Sequence, residues 1–251
     1  MTQKIDQYDK VAPTYGNAEP QVFRTLVEAY SFFNVLGSVN GAQVLDVACG
    51  EGFYSRQFVD KGAAGVVGVD SSAEMIRYGQ ESEDAEPRGI EYHVCDAAQM
   101  PILGEFDLVA ATYLLHYALD LDHMRTMCEK MAENLRPGGR LLTLVPNPAL
   151  DPEGPQFDKY GFSVDWPRNA ADGDGITLKV NAADGSAIAM SLKYWSATTY
   201  EQVLAMAGFI DVRWHQLFAS PIASKEYGAG FFDDYLANPH AVLMEAFVPA
   251  P

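Results

Sequence analysis

The stretch QVLDVACGEG, residues 43–52, decides the fold because it joins an apolar strand pattern to a turn that carries two glycines. Apolar and β-branched residues in Gln43–Val47 predict a short strand, and the helical pattern that follows predicts a helix directly after the turn. Gly50 and Gly52 let a ligand lie against the backbone there, although a tight turn from strand to helix also needs glycine for packing alone. Asp46 lies inside the apolar strand, where an unpaired acid is rarely structural. The stretch therefore predicts a strand–turn–helix unit with a ligand-binding turn.

Outward from this unit, short apolar runs alternate with longer helical patterns. The predicted strands are 43–47, 65–69, 91–94, 106–110, 140–145, 210–214 and 241–248, and the predicted helices are 54–61, 73–80, 124–135 and 199–207. Strands and helices that alternate at this length imply right-handed crossovers and a sheet covered on both faces. We therefore expect an α/β protein with a doubly wound, mostly parallel, seven-stranded sheet. Pro-Gly-Gly at 137–139 is expected to end the helix that precedes the fifth strand.

Composition divides the chain into an N-terminal helical segment, a sheet-forming domain in two parts, and an insertion. The predicted boundaries are 1–40 for the N-terminal segment, 41–146 and 196–251 for the domain, and 147–195 for the insertion. An amphipathic pattern over 20–36 predicts a helix in the first segment. The insertion interleaves prolines with aromatic residues and closes with a predicted hairpin, 176–181 and 188–194. Because loops at the carboxyl ends of parallel strands bind ligands in such sheets, we expect the insertion to form an aromatic-rich cap.

The charge balance argues against nucleic acid or an anionic membrane as a partner. The chain carries 34 acidic and 17 basic side chains, a formal net charge of −17, whereas both partners need a concentrated positive surface. No apolar run approaches the roughly 20 residues that cross a bilayer, and the polar start lacks a secretory pattern. Cys49, Cys95 and Cys128 show neither a disulfide framework nor a metal-ligand spacing. We expect a cytoplasmic protein without a metal site whose partner is a small molecule.

An acidic residue, Asp70, ends the second predicted strand in the run VVGVD, residues 66–70. At the carboxyl end of that strand a carboxylate can accept hydrogen bonds from both hydroxyls of a ribose. A cofactor that contains a nucleoside explains the glycine turn and this acid together. The alternative is that Asp70 caps the next helix, a task that Ser71 and Ser72 could perform equally well.

Taken together, these motifs resemble class I S-adenosylmethionine (SAM)-dependent methyltransferases. The run at 46–52 resembles their first motif, with Ala48 where the family usually has glycine, and Asp70 resembles their ribose-binding acid. Cys-Asp-Ala at 95–97, the run at 107–116 and Leu-Arg-Pro-Gly-Gly-Arg-Leu at 135–141 resemble later motifs in order. The resemblance covers residues 8 to about 145 and resumes at 199, and it implies a Rossmann-like fold.

The resemblance implies a set of cofactor-binding residues. They are Tyr8, Tyr15, Asp46, Ala48, Gly50, Gly52, Asp70, Ser71, Met75, Asp96, Ala97 and Thr112. The carboxylate of Asp46 is complementary to the cationic cofactor, and backbone at Ala48 and Gly50 would bind its amino-acid end. Asp96 and Ala97 would bind the adenine edge, and Met75 its face. Tyr8 and Tyr15 look like a tyrosine pair that folds over the methionine end in the family, so we expect an N-terminal helical lid.

The acceptor side is expected near the end of the fourth strand. His116 lies there beside the reactive end of the cofactor, by the resemblance, and is the candidate general base, with Tyr113 as a second catalytic residue. The alternative for His116 is a buried, hydrogen-bonded histidine. The substrate-binding residues we predict are Tyr117, Asn147, Tyr160 and Trp166, and further aromatic residues of the cap and of a late loop, Phe231, Phe232 and Tyr235, suggest a pocket for a flat acceptor. Asn147 could equally form an Asx turn.

The whole pattern is similar to toxoflavin-synthase-like bacterial methyltransferases. That similarity implies methylation of a nitrogen, or an oxygen, of a small planar heterocycle in secondary metabolism such as antibiotic biosynthesis. Two alternatives stay open: an enzyme of the same fold that cyclises SAM internally, and a non-catalytic SAM-binding regulator. A dinucleotide oxidoreductase is disfavoured because Ser55 stands where its third glycine would be. The sequence leaves open whether the protein is a monomer or a homodimer.

Overall fold

A computed structural model describes residues 22–181 and 187–251. Tyr8, Tyr15 and most of the predicted lid therefore lie outside the described residues, as does the turn of the predicted hairpin. Between these limits the chain forms two sheets, one of seven strands and one of three.

The strands of the seven-stranded sheet are β1 (Gln43–Val47), β2 (Gly65–Asp70), β3 (Ile90–Val94), β4 (Phe106–Ala110), β5 (Leu135–Pro146), β9 (Ile210–His215) and β10 (Ala241–Phe247). Their order in the sheet is β3-β2-β1-β4-β5-β10-β9. The neighbours from β3 to β5 are parallel, whereas β10 runs antiparallel to both β5 and β9. The prediction of a mostly parallel seven-stranded α/β sheet is confirmed.

Helices cover both faces of this sheet. They are a π-helical segment (Arg24–Ala29) that continues into α1 (Tyr30–Leu36), then α2 (Phe53–Asp60), α3 (Ala73–Ala85), α4 (Leu121–Glu133), α5 (Ala197–Met206), α6 (Pro221–Tyr227) and α7 (Asp233–Ala237). Helix α7 lies where the sequence analysis expected a late loop. Helix α6 begins at Pro221, directly after the capping Ser220.

The predicted role of Pro-Gly-Gly at 137–139 was wrong. Helix α4 ends at Glu133, and β5 already begins at Leu135 and runs through these residues with a register shift against β4. The buried side chain of Asn134 ends the helix instead: its Nδ2 donates to Lys130 O at 2.9 Å and its Oδ1 accepts from Leu103 N at 2.7 Å. The glycines therefore lie within an irregular strand and do not end the helix.

The three-stranded antiparallel sheet consists of β6 (Phe162–Asp165), β7 (Gly175–Asn181) and β8 (Ala187–Lys193). Strands β7 and β8 pair where the hairpin was predicted, and β6 is a strand that the sequence analysis did not find. Strand β8 packs against the turn that follows β4, where Lys193 Nζ donates to Leu119 O. The insertion thus contacts the carboxyl edge of the main sheet, and its role as a substrate cap stays a prediction.

Strand β1 shows how the core is divided. Leu45 and Val47 pack into the hydrophobic cluster on one face of the sheet, and Val44 packs into the cluster on the other. Alternation along a strand places Asp46 on the face of Val44, which it shares with Tyr54 and the aromatic residues of the insertion. No helix in the described part of the chain is long and apolar enough to cross a membrane.

Candidate active site

Asp46 supplies a buried, half-paired carboxylate beneath the turn after β1. Strand β1 lies between β2 and β4, so Asp46 is fully enclosed. Its Oδ2 accepts a hydrogen bond of 2.6 Å from Ser55 Oγ, whereas its Oδ1 has no hydrogen-bond partner among the described residues. Burial raises the pKa of Asp46 to about 7, against the lowering effect of Ser55. A buried oxygen without a partner is costly, so this site is suited to a ligand that brings a donor or a positive charge.

The turn itself is built on left-handed backbone that Asp70 fixes. Ala48 has φ of 61° and Gly50 has φ of 57°. Asp70 Oδ2 accepts from Gly50 N at 2.9 Å and its Oδ1 accepts from Ser72 N at 2.8 Å. Asp70 thus holds the turn through both of its carboxylate oxygens, and its contact with a ribose stays a prediction. A methyl group at Gly50 would meet no atom of residues 22–181 or 187–251 within 4 Å, so these residues leave open space beside the backbone there.

Gly52 has a different surrounding from Gly50. A Cβ atom at Gly52 would lie 1.9 Å from the hydroxyl oxygen of Tyr92, and Gly52 N already donates to Cys49 O at 3.0 Å. Close packing against Tyr92 therefore requires glycine at this position. Contact between Gly52 and the cofactor stays a prediction.

Ala48 stands where the family usually has glycine, and its backbone is locally strained. The left-handed conformation costs an alanine about 1 kcal/mol more than a glycine. We expect Ala48→Gly to raise the free energy of unfolding by about 1 kcal/mol, measured by urea denaturation without cofactor. The control is Ala205→Gly in α5, an exposed helical position where glycine should lower that free energy by about 0.5–1 kcal/mol. A destabilised Ala48→Gly variant would contradict the assignment of strain.

The predicted adenine-binding residues lie at the same edge. Cys95 N donates to Asp70 O at 2.8 Å, so Asp96 follows β3 next to the end of β2. Asp96 Oδ1 accepts from Ala98 N at 2.8 Å and caps the 3₁₀ turn Ala97–Gln99. The remaining predicted cofactor residues differ in exposure: Met75, Ala97 and Thr112 are buried, and Ser71 is exposed. Their contacts with a cofactor stay predictions.

The predicted catalytic residues come together after β4. Tyr113 adopts φ of 61°, which is rare for a large side chain, and its amide donates to Leu144 O at 2.9 Å. His116, 1% exposed, lies in the 3₁₀ turn Leu115–Tyr117. Its ring centroid is 5.9 Å from that of Tyr113 and 4.3 Å from that of Tyr117. The structure brings these three rings together, and their roles in catalysis and acceptor binding stay predictions.

Sequence reasoning missed a buried polar cluster around Glu28. Tyr113 Oη donates to Glu28 Oε1 at 2.5 Å, and Tyr235 Oη donates to the same oxygen at 3.1 Å. His240 Nδ1 lies 3.1 Å from Tyr235 Oη. Burial raises the pKa of Glu28 to about 7 and lowers the pKa of His240 to about 3. One signal was available: Glu28 shares a helix face with Phe32, four residues later, where a buried acid is unusual.

The predicted substrate residues of the insertion and its border make hydrogen bonds and packing contacts within the protein. Asn147 Oδ1 accepts from Ala149 N at 3.0 Å and its Nδ2 donates to Pro239 O at 2.9 Å, which is the Asx-turn alternative. Tyr160 Oη donates to Phe231 O at 2.9 Å. Trp166 is buried against Tyr194, with ring centroids 5.7 Å apart. These contacts organise the insertion, and a direct role in acceptor binding stays a prediction.

The residues at this edge suit the cofactor that the motifs imply. The half-paired carboxylate of Asp46 is complementary to a cationic ligand, and the open space at Gly50 leaves room for it against the backbone. The carboxylates of Asp70 and Asp96 stand at the ends of the next two strands of the sheet. No group of three or more histidine, cysteine, aspartate or glutamate side chains in residues 22–181 and 187–251 could hold a metal ion.

Comparison with known proteins agrees with this geometry. Residues 44–139 match a family described as a methyltransferase domain. The chain is 30% identical over 195 residues to N-demethylindolmycin N-methyltransferase of Streptomyces griseus, covering 77% of this chain and 78% of that protein. It is also 32% identical over 127 residues to the ubiquinone/menaquinone biosynthesis C-methyltransferase UbiE of Bordetella parapertussis, covering 49% and 48% of the two chains.

The fold is shared with solved methyltransferase structures. The CcbJ methyltransferase of Streptomyces caelestis superposes with a TM-score of 0.66 at 19% identity, over 98% of this chain and 97% of that one. At that identity the similarity shows the fold alone. The family match, the extent of the similarity to the Streptomyces griseus enzyme and the geometry of the turn lead to one assignment: this chain belongs to the class I SAM-dependent methyltransferases.

Proposed function

We propose that this enzyme transfers the methyl group of SAM to a nitrogen of a small, planar heterocyclic acceptor. The observation that carries the proposal is the group of aromatic rings at the end of β4, where Tyr113 and Tyr117 remain partly exposed beside the buried Glu28 cluster. Aromatic faces favour a flat acceptor, and polar groups between them favour one with N–H donors. A relative that is named for N-methylation of N-demethylindolmycin supports the same chemistry.

The cofactor supplies an electrophilic methyl group bound to a sulfonium. In the proposed arrangement Asp46 and the backbone at Ala48 and Gly50 bind its amino-acid end, and Asp70 binds its ribose. Asp96 and Ala97 bind its adenine. These residues act by holding the methyl carbon in line with the acceptor nitrogen and by excluding water.

The domain assignment belongs to the same proposal. Residues 41–146 and 196–251 form the SAM-binding domain, 147–195 form the substrate cap, and 1–40 form a lid. The net charge of −17 supports a small-molecule acceptor over nucleic acid or a membrane. A cytoplasmic enzyme of secondary metabolism, such as antibiotic biosynthesis, fits this acceptor class.

The proposal is tested by binding followed by product analysis. Isothermal titration with S-adenosylhomocysteine should show one site. Incubation with SAM and N-demethylindolmycin, or a panel of planar N–H heterocycles, should then give a product heavier by one CH₂ unit in mass spectrometry. Ring-matched acceptors with a hydroxyl in place of the N–H group are the control for nitrogen preference. Methylthioadenosine release without any acceptor would support internal cyclisation instead, and binding without turnover across the panel would support a regulator.

A further inference from the structure

Glu28, Tyr113, Tyr235 and His240 form a buried ionisable cluster next to the end of β4, and the proposed function has not used its carboxylate. Glu28 is 1% exposed and lies on the π-helical segment that precedes α1. Its Oε1 receives both tyrosine hydroxyls, and its Oε2 has no hydrogen-bond partner among the described residues. A buried carboxylate with one satisfied and one unsatisfied oxygen has a high affinity for a proton.

The cluster is next to the cofactor turn as well as to the acceptor side. Tyr54 follows Gly52 on α2, and its hydroxyl is buried without a hydrogen-bond partner among the described residues. Burial raises the pKa of Tyr54, and the charges of Glu28 and Asp46 act on it in the same direction. The Tyr54 hydroxyl therefore lies within electrostatic range of both carboxylates. On the other side, Tyr113 links Glu28 to the end of β4.

Other ionisable groups around Glu28 do not replace it as a proton acceptor. His240 Nε2 lies 3.6 Å from Glu28 Oε1, and burial lowers the pKa of this histidine to about 3. Burial and the charge of Glu28 raise the pKa of the Tyr113 and Tyr235 hydroxyls, so neither tyrosine ionises alone. The positive charge of Arg24 lowers the pKa of Glu28 only as the last of its influences, and the net effect is a pKa of about 7.

We propose that Glu28 stores the proton released in methyl transfer and receives it through Tyr113. The inference rests on the proposed N-methylation. As the acceptor nitrogen forms its bond to the methyl carbon, the carbon–sulfur bond breaks and its electron pair stays on sulfur. The acceptor N–H proton passes to Tyr113 Oη, and the hydroxyl proton of Tyr113 passes to Glu28 Oε1. Tyr113 touches the acceptor, and Glu28 is a positioning residue that acts through it.

A proton store at Glu28 and a general base at His116 predict different pH dependences of activity. A proton store at Glu28 makes activity fall as the pH drops below about 7, where the carboxylate is already protonated. That fall depends on the Glu28 carboxylate and on the Tyr113 hydroxyl. If His116 were the base, the pH dependence of activity would not depend on Glu28.

The test compares Glu28→Gln with wild type on an acceptor methylated by the wild-type enzyme. The amide keeps the size of the side chain but takes no proton, so kcat should fall about 100-fold or more, while affinity for S-adenosylhomocysteine stays within about threefold. The decline in activity below about pH 7 should disappear. Glu226→Gln makes the same chemical change at an exposed site of α6 and should leave activity unchanged. A Glu28→Gln enzyme with normal kcat would overturn the proposal.

Two measurements cover the other outcomes. Tyr113→Phe removes the relay hydroxyl and leaves Glu28 in place, so it should lose kcat to a similar extent, and full activity would overturn the relay even if Glu28→Gln fails to fold. Carbon-13 NMR of glutamate side-chain carboxyls, without acceptor, should show one resonance that titrates near pH 7 and is missing in Glu28→Gln. Absence of such a resonance in wild type would also overturn the proposal. No turnover by wild type on any N–H acceptor would count against the proposed function instead.

Discussion

Gly52→Ala is expected to lower the free energy of unfolding by about 2–4 kcal/mol, from overpacking and left-handed backbone together. The new Cβ atom would lie 1.9 Å from Tyr92 Oη and 2.9 Å from Tyr92 Cζ. The backbone at this position has φ of 88°, which an alanine adopts only under strain. Urea denaturation of the protein without cofactor measures the effect.

Tyr92 has little freedom to move away from the added methyl group. Its ring also faces Gly68 on β2 and Gly79 on α3, where a Cβ atom would approach the ring to 2.7 Å and 3.1 Å. Three glycines from three elements thus form the slot for one buried ring. Tight interiors transmit such a clash to the backbone rather than absorbing it.

Gly50→Ala is the matched control for the Gly52 variant. It has the same chemical change, at φ of 57°, but the new Cβ atom would meet nothing within 4 Å in the part of the chain that the structure describes. Only backbone strain remains, so the expected loss is about 1 kcal/mol. Adding Tyr92→Phe to Gly52→Ala removes the nearest atom and should recover part of the loss. Equal losses for Gly50→Ala and Gly52→Ala would contradict the packing explanation.

The seven-stranded sheet was predictable because its signals are local. In β1 the residues Val44, Leu45 and Val47 are buried on alternate faces, so the strand reads as a continuous apolar run between two turns. The same pattern recurs in β2 and β4. Parallel pairing then brings Asp46, Asp70 and Asp96 to one edge, because side chains after the carboxyl ends of adjacent strands meet there.

The Glu28 cluster was not predictable because its four members come from three distant segments. Glu28, Tyr113, Tyr235 and His240 meet only in the folded chain, and none lies in a motif with the others.

The two glycines of the turn illustrate the same limit. Gly50 and Gly52 have the same local signal, yet the partner that distinguishes them, Tyr92, lies on β3.

Stability is expected to fall as the pH rises from about 5 to about 8. Burial raises the pKa of Asp46 and of Glu28 to about 7 in the folded protein, from ordinary values near 4. Between those values the folded state holds protons that the unfolded chain has released. The stabilisation is therefore fully present below about pH 4 and is lost as the pH rises through about 7. Because one unit of pKa corresponds to about 1.4 kcal/mol, the two groups together should lower the free energy of unfolding by several kcal/mol.

Urea denaturation at several pH values measures this loss, and Asp46→Asn isolates one of the two groups. The amide has no proton to lose, so the variant should depend less steeply on pH and should be more stable than wild type at about pH 8 by about 2–4 kcal/mol. Asp84→Asn makes the same change at an exposed position of α3 and should leave the slope unchanged. A wild-type protein that gains stability between about pH 5 and about pH 7 would contradict the raised pKa values.

The same proton couples stability to the cofactor. A cationic ligand beside Asp46 favours the ionised carboxylate, so SAM should bind more tightly at about pH 8 than at about pH 6, and one proton should leave the protein when binding occurs at the lower pH. Isothermal titration in buffers of different ionisation enthalpy counts that proton. Asp46→Asn should bind SAM more weakly, with no proton release from this position. An unaltered proton count in this variant would place the positive charge of the cofactor away from Asp46. Loss of the released proton would show that the Asp46 carboxylate, whose ionisation lowers the stability of the folded protein, is the group that binds this charge.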